Sequence, residues 1–330
     1  MDHQLRTNYE DQLAIEIESM LDPVTGDILE DLVEECSCPL CGSAIEEQEI
    51  LFQKRGFYFR RCLNCHLILT NPRLKSDYLH DSYRNADSNK LWVEIQKSAL
   101  EKAWKTPYYR DCLELISANI NTNAPRICDV GCGIGHFLEM AKEEWPDSRT
   151  VGLEINKESV KIARNRGIQI HEGLISELSG RGDFTLVTAH GVLEHLPNPK
   201  DFLSDVRRLL AGGGYFFAIV PNIFSLYHMI IGDRSVNFDG RDHVLHFSES
   251  TLSRLLSENG FRIAHLDTVL TGFGAITQSI QWLPPYDDTR TTKKYLPQKI
   301  RSLIADETSI ENFIKNHNLG LRLRILGQME

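Results

Sequence analysis

Four cysteines are arranged as two C-x2-C pairs, a spacing that suits a bound metal ion. They are Cys38, Cys41, Cys62 and Cys65, with twenty residues between the two pairs. Each pair fits on a tight turn, and four thiolates complete the tetrahedral shell that Zn2+ accepts in structural sites. Because that shell leaves no open position, we expect a structural rather than a catalytic zinc ion. Cys36 and His66 lie beside the pairs and could substitute as ligands.

A second chemical motif is the run ICDVGCGIGHF, in which an acid is followed by alternating glycines. Its residues are Asp129, Gly131, Gly133 and Gly135, and we call residues 129–135 the glycine loop. Glycine lets the backbone turn sharply and approach a ligand closely. A dinucleotide loop of the form G-x-G-x-x-G needs glycine at position 136, where this chain has His136. The spacing therefore excludes a dinucleotide loop and indicates a cofactor without a diphosphate.

Four histidines follow predicted strands and could exchange protons with a substrate. They are His190, His195, His243 and His246. Histidine has a pKa near neutrality, so it suits removal of a proton from a hydroxyl group or a carbon acid. Glu194 with His195 is the first candidate for catalysis, and His243 is the second. The alternative for Glu194 and His195 is structural, with both side chains satisfying backbone groups at the start of the next helix.

The elements that must position these residues alternate between strand and helix from residue 126 onward. Short apolar runs predict strands at residues 126–131, 150–155, 168–173, 183–191 and 215–222. Amphipathic runs between them predict helices, so the pattern indicates an α/β fold with a parallel sheet covered on both faces. In such a sheet ligands bind beyond the carboxyl ends of the strands, where the glycine loop and the histidines fall.

Composition divides the chain into five segments. Residues 1–35 mix apolar and acidic side chains and predict one or two amphipathic helices, and residues 36–75 form a cysteine module. Residues 76–125 predict a helical linker that caps the substrate side. Residues 126–283 form the strand–helix domain, and residues 284–330 predict a C-terminal helical extension.

Over residues 126–283 the sequence resembles the class I S-adenosylmethionine-dependent methyltransferases, whose sheet is Rossmann-like and seven-stranded. The resemblance is carried by the glycine loop and by the runs VGLEIN, HGVLEHLPNP and DHVLHFSESTLSRLLSENGF. It implies that the glycine loop wraps the methionine part of S-adenosylmethionine. It also implies that Glu154 accepts hydrogen bonds from the ribose, that Ile155 packs against the adenine, and that His190 contacts the cofactor.

By this resemblance we expect methyl transfer to a small-molecule acceptor, such as a nucleotide- or lipid-linked sugar. The cysteine module before the domain is similar to the zinc ribbons of sugar C-methyltransferases and, in a different form, of some ribosomal RNA methyltransferases. One alternative is therefore an RNA methyltransferase whose phosphate contacts would be Lys54, Arg55, Arg60, Arg61, Arg73 and Lys75. Another alternative, from a different class, is a non-catalytic scaffold that binds S-adenosylmethionine.

The net charge of −10 belongs to one segment of the chain. Residues 1–35 hold eleven acidic side chains and one basic side chain, and the other 295 residues hold 35 of each. The balanced remainder does not exclude an anionic substrate or nucleic acid, although a small-molecule acceptor is favoured. Because the sequence has no apolar run long enough to span a bilayer and no export signal, we expect a cytoplasmic monomer or homodimer.

Overall fold

The computed structural model describes residues 3–103, 106–269 and 307–330. Helix α1 (His3–Glu18) comes first, followed by strands β1 (Val33–Glu34), β2 (Gln48–Lys54), β3 (Phe57–Cys62), β4 (Ile68–Thr70) and β5 (Arg73–Leu74). Helix α1 forms where the sequence predicts one or two amphipathic helices in residues 1–35. After it the chain turns at Asp22, whose carboxylate accepts hydrogen bonds from the backbone N–H groups of Val24 and Thr25.

Three helices follow the cysteine module, and we call them the helical cap. They are α2 (Ser76–Asn85), α3 (Asp87–Glu101) and α4 (Thr106–Asn119). Helix α1 packs on α3, with the rings of Tyr9 and Trp92 centred 5.6 Å apart. No helix in the described ranges combines the length and the apolarity needed to cross a membrane.

The strand–helix domain begins at residue 126. Its elements are β6 (Arg126–Val130), α5 (His136–Glu144), β7 (Arg149–Glu154), α6 (Lys157–Asn165), β8 (Ile170–Glu172), β9 (Phe184–His190), α7 (Pro199–Leu209), β10 (Leu210–Pro221), α8 (Leu226–Ile231), β11 (Leu245–His246), α9 (Glu249–Glu258), β12 (Phe261–Val269), α10 (Glu307–Asn316) and β13 (Arg322–Met329). Within the described residues, seven strands form a sheet in the order β12-β13-β10-β9-β6-β7-β8. Strands β10 to β8 are parallel to one another, and β13 is antiparallel to both of its neighbours. The predicted α/β, Rossmann-like fold is therefore confirmed.

Local sequence explains where the helices begin and which faces they bury. The Asn156 side chain accepts a hydrogen bond from the backbone N–H of Ser159 at the start of α6, and Pro199 occupies the first turn of α7. Phe216 and Phe217 are consecutive on β10 and therefore point to opposite faces of the sheet, each into its own hydrophobic cluster. Helices on both sides complete these clusters.

The C-terminal segment is not a purely helical extension, which corrects the prediction for residues 284–330. Residues 322–329 form β13, which inserts between β10 and β12. The reason is a two-residue alternation in LRLRILGQM: Leu323 and Ile325 enter one hydrophobic cluster, and Leu326 enters the other. The predicted boundary at residue 283 and the first part of the extension, residues 284–306, lie outside the described residues.

The cysteine module is joined to the domain by a shared sheet. Strand β11 pairs antiparallel with β4, so that the module's sheet has the order β11-β4-β3-β2. The backbone N–H of Thr70 also donates to Val244 O over 2.9 Å, and the Phe59 ring meets Phe238 edge to face. Residues 238–247, which we call the histidine loop, are therefore held directly by the cysteine module.

Candidate active site

The glycine loop leaves β6 at the carboxyl end of the sheet. Gly131, Gly133 and Gly135 have positive φ angles of 67°, 54° and 82°. At Gly131 space also excludes a side chain, because a Cβ there would come within 2.8 Å of Val192 Cγ2. The Gly131 N–H donates to Leu153 O over 2.8 Å and so fixes the loop to the end of β7. The loop can therefore bring its backbone close to a ligand above the sheet.

Glu154, predicted to bind a ribose, lies at the end of β7 beside this loop. One carboxylate oxygen accepts the Gly133 N–H over 2.9 Å, and the other accepts the N–H groups of Ile155 and Asn156, each over 2.8 Å. Desolvation raises the pKa of Glu154, although these hydrogen bonds partly oppose the shift. The structure thus brings Glu154 and Ile155 next to the glycine loop, as expected for the predicted roles.

Asp129 is buried at the end of β6, at 2% exposure. Its carboxylate accepts a hydrogen bond from the Thr188 hydroxyl over 2.7 Å. Burial raises the pKa of Asp129 to about 7, and the nearby charge of Glu154 adds to the increase. Neither carboxylate forms an ion pair with a Lys, Arg or His of the described ranges. The region beside the glycine loop, which we call the cofactor side, therefore holds two carboxyl groups whose charged forms no basic side chain of the described ranges stabilises.

The helical cap contributes two contacts that the sequence did not predict. Gln96 of α3 reaches the glycine loop, where its Oε1 accepts the backbone N–H of Ile134 over 3.1 Å. Tyr83 of α2 accepts a hydrogen bond at its backbone oxygen from the Asn156 side chain, over 3.2 Å. No sequence signal identified these residues, because each is defined by a contact more than 35 positions away along the chain.

His195 is oriented by two groups from distant segments. Its Nδ1 lies 2.9 Å from the Tyr83 hydroxyl and 2.9 Å from the backbone oxygen of Asp242. A carbonyl oxygen can only accept, so we assign the ring hydrogen to Nδ1, which leaves Nε2 with a lone pair. The side chains of Glu194 and His195 make no hydrogen bond to α7 within the described residues, so the helix-capping alternative is not what the structure shows.

His243 forms a carboxylate–imidazole pair with Asp239, a residue that the sequence reading missed. Asp239 is 5% exposed and accepts a hydrogen bond from His243 Nδ1, as well as the backbone N–H groups of Asp242 and His243. Burial alone would lower the pKa of His243, but the charge and hydrogen bond of Asp239, together with the charges of Glu194 and Asp242, outweigh this effect and the pKa rises. The sequence signal for this pair is the D-x-x-x-H spacing. That spacing indicates a hydrogen bond only once the loop is known to bring the two side chains together.

The three predicted catalytic side chains come together. Ligand-capable atoms of Glu194, His195 and His243 all lie within 4.8 Å of one another, and the two imidazole rings are centred 4.7 Å apart. Glu194 is 2% exposed, and its Oε2 has no hydrogen-bond partner in the described part of the chain. A buried oxygen of this kind is available to a ligand, so the cluster can accept, donate or relay a proton.

The other two histidines lie in aromatic surroundings. His190 packs against Phe137, with ring centroids 4.3 Å apart, and against Tyr109 at 5.5 Å. His246 contacts Phe59 and Phe238, and burial lowers its pKa to about 3, so it stays neutral. His246 therefore belongs to the contact with the cysteine module. A cofactor contact by His190 stays a prediction.

The four predicted zinc ligands form one cluster in the cysteine module. All four sulfur atoms lie within 4.8 Å of one another, with Cys38 Sγ 3.4 Å from Cys65 Sγ and Cys41 Sγ 3.5 Å from Cys62 Sγ. Cys36 lies outside this cluster, and its backbone N–H donates to Asn71 instead. The two C-x2-C pairs thus meet as their spacing predicted.

Most basic side chains considered for RNA binding are engaged within the protein. These are Lys54, Arg60, Arg61, Arg73 and Lys75. Lys54 donates to Ser235 O over 2.8 Å, and Arg73 donates to Pro197 O over 2.6 Å. Both contacts join the cysteine module to the domain. Lys54 and Arg73 therefore stabilise the packing of the module and do not form an open phosphate-binding face.

Comparisons with known proteins agree with this geometry. A family model described as a methyltransferase domain matches residues 102–266. The trans-aconitate 2-methyltransferase of Mycobacterium sp. (strain KMS) is 29% identical over 108 residues, or 32% of this chain and 42% of that protein. The C-methyltransferase NovU of Streptomyces niveus is 26% identical over 259 residues, or 74% of this chain and 56% of that protein. The matched regions thus span only about half the length of these relatives.

A solved structure shows the same fold. One chain of a complex that contains the Haloferax volcanii Trm112 methyltransferase activator superposes with a TM-score of 0.51 at 16% identity, covering 76% of this chain and 97% of that one. The region matched by the family model is half of the chain and contains the glycine loop, the Glu194–His195 pair and the histidine loop. The chain therefore belongs to the methyltransferase-domain family.

Proposed function

We propose that the protein transfers a methyl group from S-adenosylmethionine to a small acceptor molecule. The observation that carries this proposal is that Tyr83 contacts both the residues beside the glycine loop and the residues around His195. Its backbone oxygen binds Asn156 beside Glu154, and its hydroxyl group contacts His195. A donor held by the glycine loop and an acceptor beside the histidines would therefore meet at one edge of the sheet.

The charge of the cofactor side favours a cationic donor. Asp129 and Glu154 both have raised pKa values, chiefly because burial disfavours their charged forms. A ligand that carries positive sulfur and an ammonium group would stabilise both carboxylates, whereas a diphosphate would be repelled. Because each oxygen of an ionised carboxylate can accept more than one hydrogen bond, Glu154 also keeps acceptor capacity for ribose hydroxyl groups.

We assign proton removal from the acceptor to His243. Asp239 holds the Nδ1 hydrogen, so the Nε2 lone pair can take a proton from a hydroxyl group or a carbon acid. When bound, S-adenosylmethionine would supply an electrophilic methyl group. The deprotonated acceptor atom would form the new bond to its carbon, and the electrons of the C–S bond would leave with sulfur. The imidazolium formed at His243 is stabilised by Asp239, and His195 orients the acceptor through Nε2.

The proposed acceptor is a small molecule, with a nucleotide- or lipid-linked sugar as the first candidate. The name of one relative, trans-aconitate 2-methyltransferase, supports a small molecule, and the name of the other, C-methyltransferase, adds carbon as a candidate acceptor atom. The similarity to NovU is longer than the region matched by the family model, so it extends beyond the core of the domain. The engaged basic side chains of the cysteine module disfavour the RNA alternative.

We further propose that the cysteine cluster binds a structural zinc ion. With Zn–S bonds of about 2.3 Å, a tetrahedral site places its sulfur atoms about 3.8 Å apart. The observed separations of 3.4 and 3.5 Å fit a site that would expand slightly around the metal. In so small a module, metal binding would supply much of the folding free energy.

The direct test is a labelled-methyl assay with the purified protein, supplied either with a small-molecule metabolite extract or with total RNA. We expect label in the small-molecule fraction, appearing about 10²- to 10⁴-fold more slowly when His243→Ala replaces the wild type. Label in RNA would contradict the proposed acceptor class. Cofactor binding without transfer to either fraction would instead favour the non-catalytic scaffold.

A further inference from the structure

Arg241 is the largest of the fully buried side chains, and its guanidinium group lies inside the protein at 2% exposure. It belongs to the histidine loop, two residues before His243. A buried cation is strongly unfavourable unless its charge and its hydrogen bonds are satisfied. The partners that satisfy Arg241 therefore show what this side chain holds in place.

Those partners come from three separate segments. Arg241 Nε and Nη2 donate to the two carboxylate oxygens of Asp242, each over 2.9 Å. Nη1 donates to Glu16 of α1, and Nη2 also contacts the Ser88 hydroxyl at the start of α3 over 3.1 Å. Glu16 in turn accepts the Ser88 N–H and hydroxyl group, over 2.9 and 2.6 Å. We call Glu16, Ser88, Arg241 and Asp242 the arginine clamp.

The clamp fixes Asp242, whose backbone contacts His195 directly and His243 through its partner Asp239. Its backbone oxygen lies 2.9 Å from His195 Nδ1, and its backbone N–H donates to Asp239, the partner of His243. With its carboxylate held by Arg241, Asp242 has little freedom to rotate. Any shift of this residue would move the hydrogen-bond partner of His195 and the carboxylate that orients His243.

Helix α1 makes a second contact to the same residue. The Tyr9 hydroxyl lies 3.5 Å from the Asp242 carboxylate, and the Tyr9 ring packs on Trp92 of α3. The acidic N-terminal helix thus reaches the acceptor side through Glu16 and Tyr9. No local sequence pattern indicates this contact, because Glu16 and Arg241 are 225 positions apart.

We infer that Arg241 is a positioning residue for methyl transfer and that α1, through Glu16, is part of the acceptor site. The inference rests on the proposed function. Arg241 does not touch the reacting atoms. It holds Asp242, whose backbone groups contact His195 and the Asp239 carboxylate.

The test compares Glu16→Gln, Ser88→Ala and Arg241→Lys with the wild type. Lysine keeps the charge but cannot bind Asp242 with two parallel hydrogen bonds, so Arg241→Lys should also fail to hold the loop. We expect kcat to fall roughly 10- to 100-fold, since a displacement of about 1 Å can cost about 10²-fold in rate. Affinity for S-adenosylhomocysteine should stay within about twofold, because the glycine loop has no contact with the clamp. Arg254→Gln, which breaks an exposed arginine–glutamate pair on α9, is the matched control.

A second measurement needs no acceptor. In nitrogen-15 spectra of the imidazole rings, the signals of His195 and His243 should shift in Glu16→Gln and stay unchanged in Arg254→Gln. The inference is overturned if the folded clamp variants keep the wild-type kcat and ring signals, or if they lose cofactor affinity together with kcat. Failure of the wild type to bind S-adenosylhomocysteine would instead overturn the proposed function, so the two failures are distinguishable.

Discussion

The cofactor side is formed by the end of β6, the glycine loop that follows it, and Glu154 at the end of β7, the next strand along the chain. The acceptor side is the region around the histidines, and it combines residues from three distant segments: Tyr83, the Glu194–His195 pair and the histidine loop. The first arrangement follows from one strand–turn–helix unit and its neighbour. The second exists only after the cap, the domain and the cysteine module have packed together. We therefore expect the two sides to fail independently, and the following predictions test that separation.

The largest effect is expected for His243→Ala. Removing the proposed base should lower kcat by about 10²- to 10⁴-fold, the usual contribution of general base catalysis. Because His243 has no contact with the glycine loop, affinity for S-adenosylhomocysteine should be unchanged by calorimetry. Wild-type turnover in the variant would place the base elsewhere, and a parallel loss of cofactor affinity would mean that the two sides are not separable.

Removal of the metal should reduce the rate of methyl transfer more than the affinity for the cofactor. Cys62→Ser breaks the proposed zinc site, and the histidine loop is held by the module through the β4–β11 pairing. We expect about a 10²-fold loss of transfer from the resulting displacement, with cofactor binding retained. Cys36→Ser, outside the cluster, is the matched control, and zinc content should fall only in Cys62→Ser. Full transfer by zinc-free protein would show that the module does not hold the loop.

Glu154→Gln should produce the opposite pattern. A hydrogen bond to a charged group contributes about 1.5–3 kcal/mol, so cofactor affinity should fall roughly 10- to 100-fold. The imidazole signals of the acceptor side should not move. Glu158→Gln, an exposed acid on α6, serves as the control. If Glu154→Gln binds the cofactor normally, then the ribose assignment is wrong.

The smallest effect is expected for Asp239→Asn, which should change the pH dependence of transfer. The carboxylates of Asp239, Glu194 and Asp242 all raise the pKa of His243, against the effect of burial. Loss of the Asp239 charge should lower that pKa, and a base acts when deprotonated, so the acidic limb of the pH–rate profile should move to lower pH.

The plateau rate of Asp239→Asn should fall by roughly tenfold, because the imidazolium loses its partner. Asp233→Asn, at an exposed position nearby, controls for the change in net charge. An acidic limb that stays in place, or one that moves to higher pH, would contradict the Asp239–His243 pairing.

The same contrast explains how far the sequence predicted the structure. The glycine loop and the two C-x2-C pairs are short motifs whose geometry is set by neighbouring residues, and their positions followed from spacing alone. Gln96 and Arg241 have roles that depend on long-range contacts, so no local pattern revealed them. The pairing of Asp239 with His243 is local, but its D-x-x-x-H spacing does not show by itself that the loop brings the two side chains together. The helical prediction for residues 284–330 misses strand β13, because its eight-residue alternation is short and its pairing with β10 and β12 is long-range.

Calorimetric titration of S-adenosylhomocysteine into the wild-type protein tests the central claim most directly. The glycine loop, Glu154 and the buried carboxyl group of Asp129 predict saturable, equimolar binding that Glu154→Gln weakens and His243→Ala leaves intact. A correctly folded wild-type protein that releases no heat, with either S-adenosylhomocysteine or S-adenosylmethionine, would contradict the account.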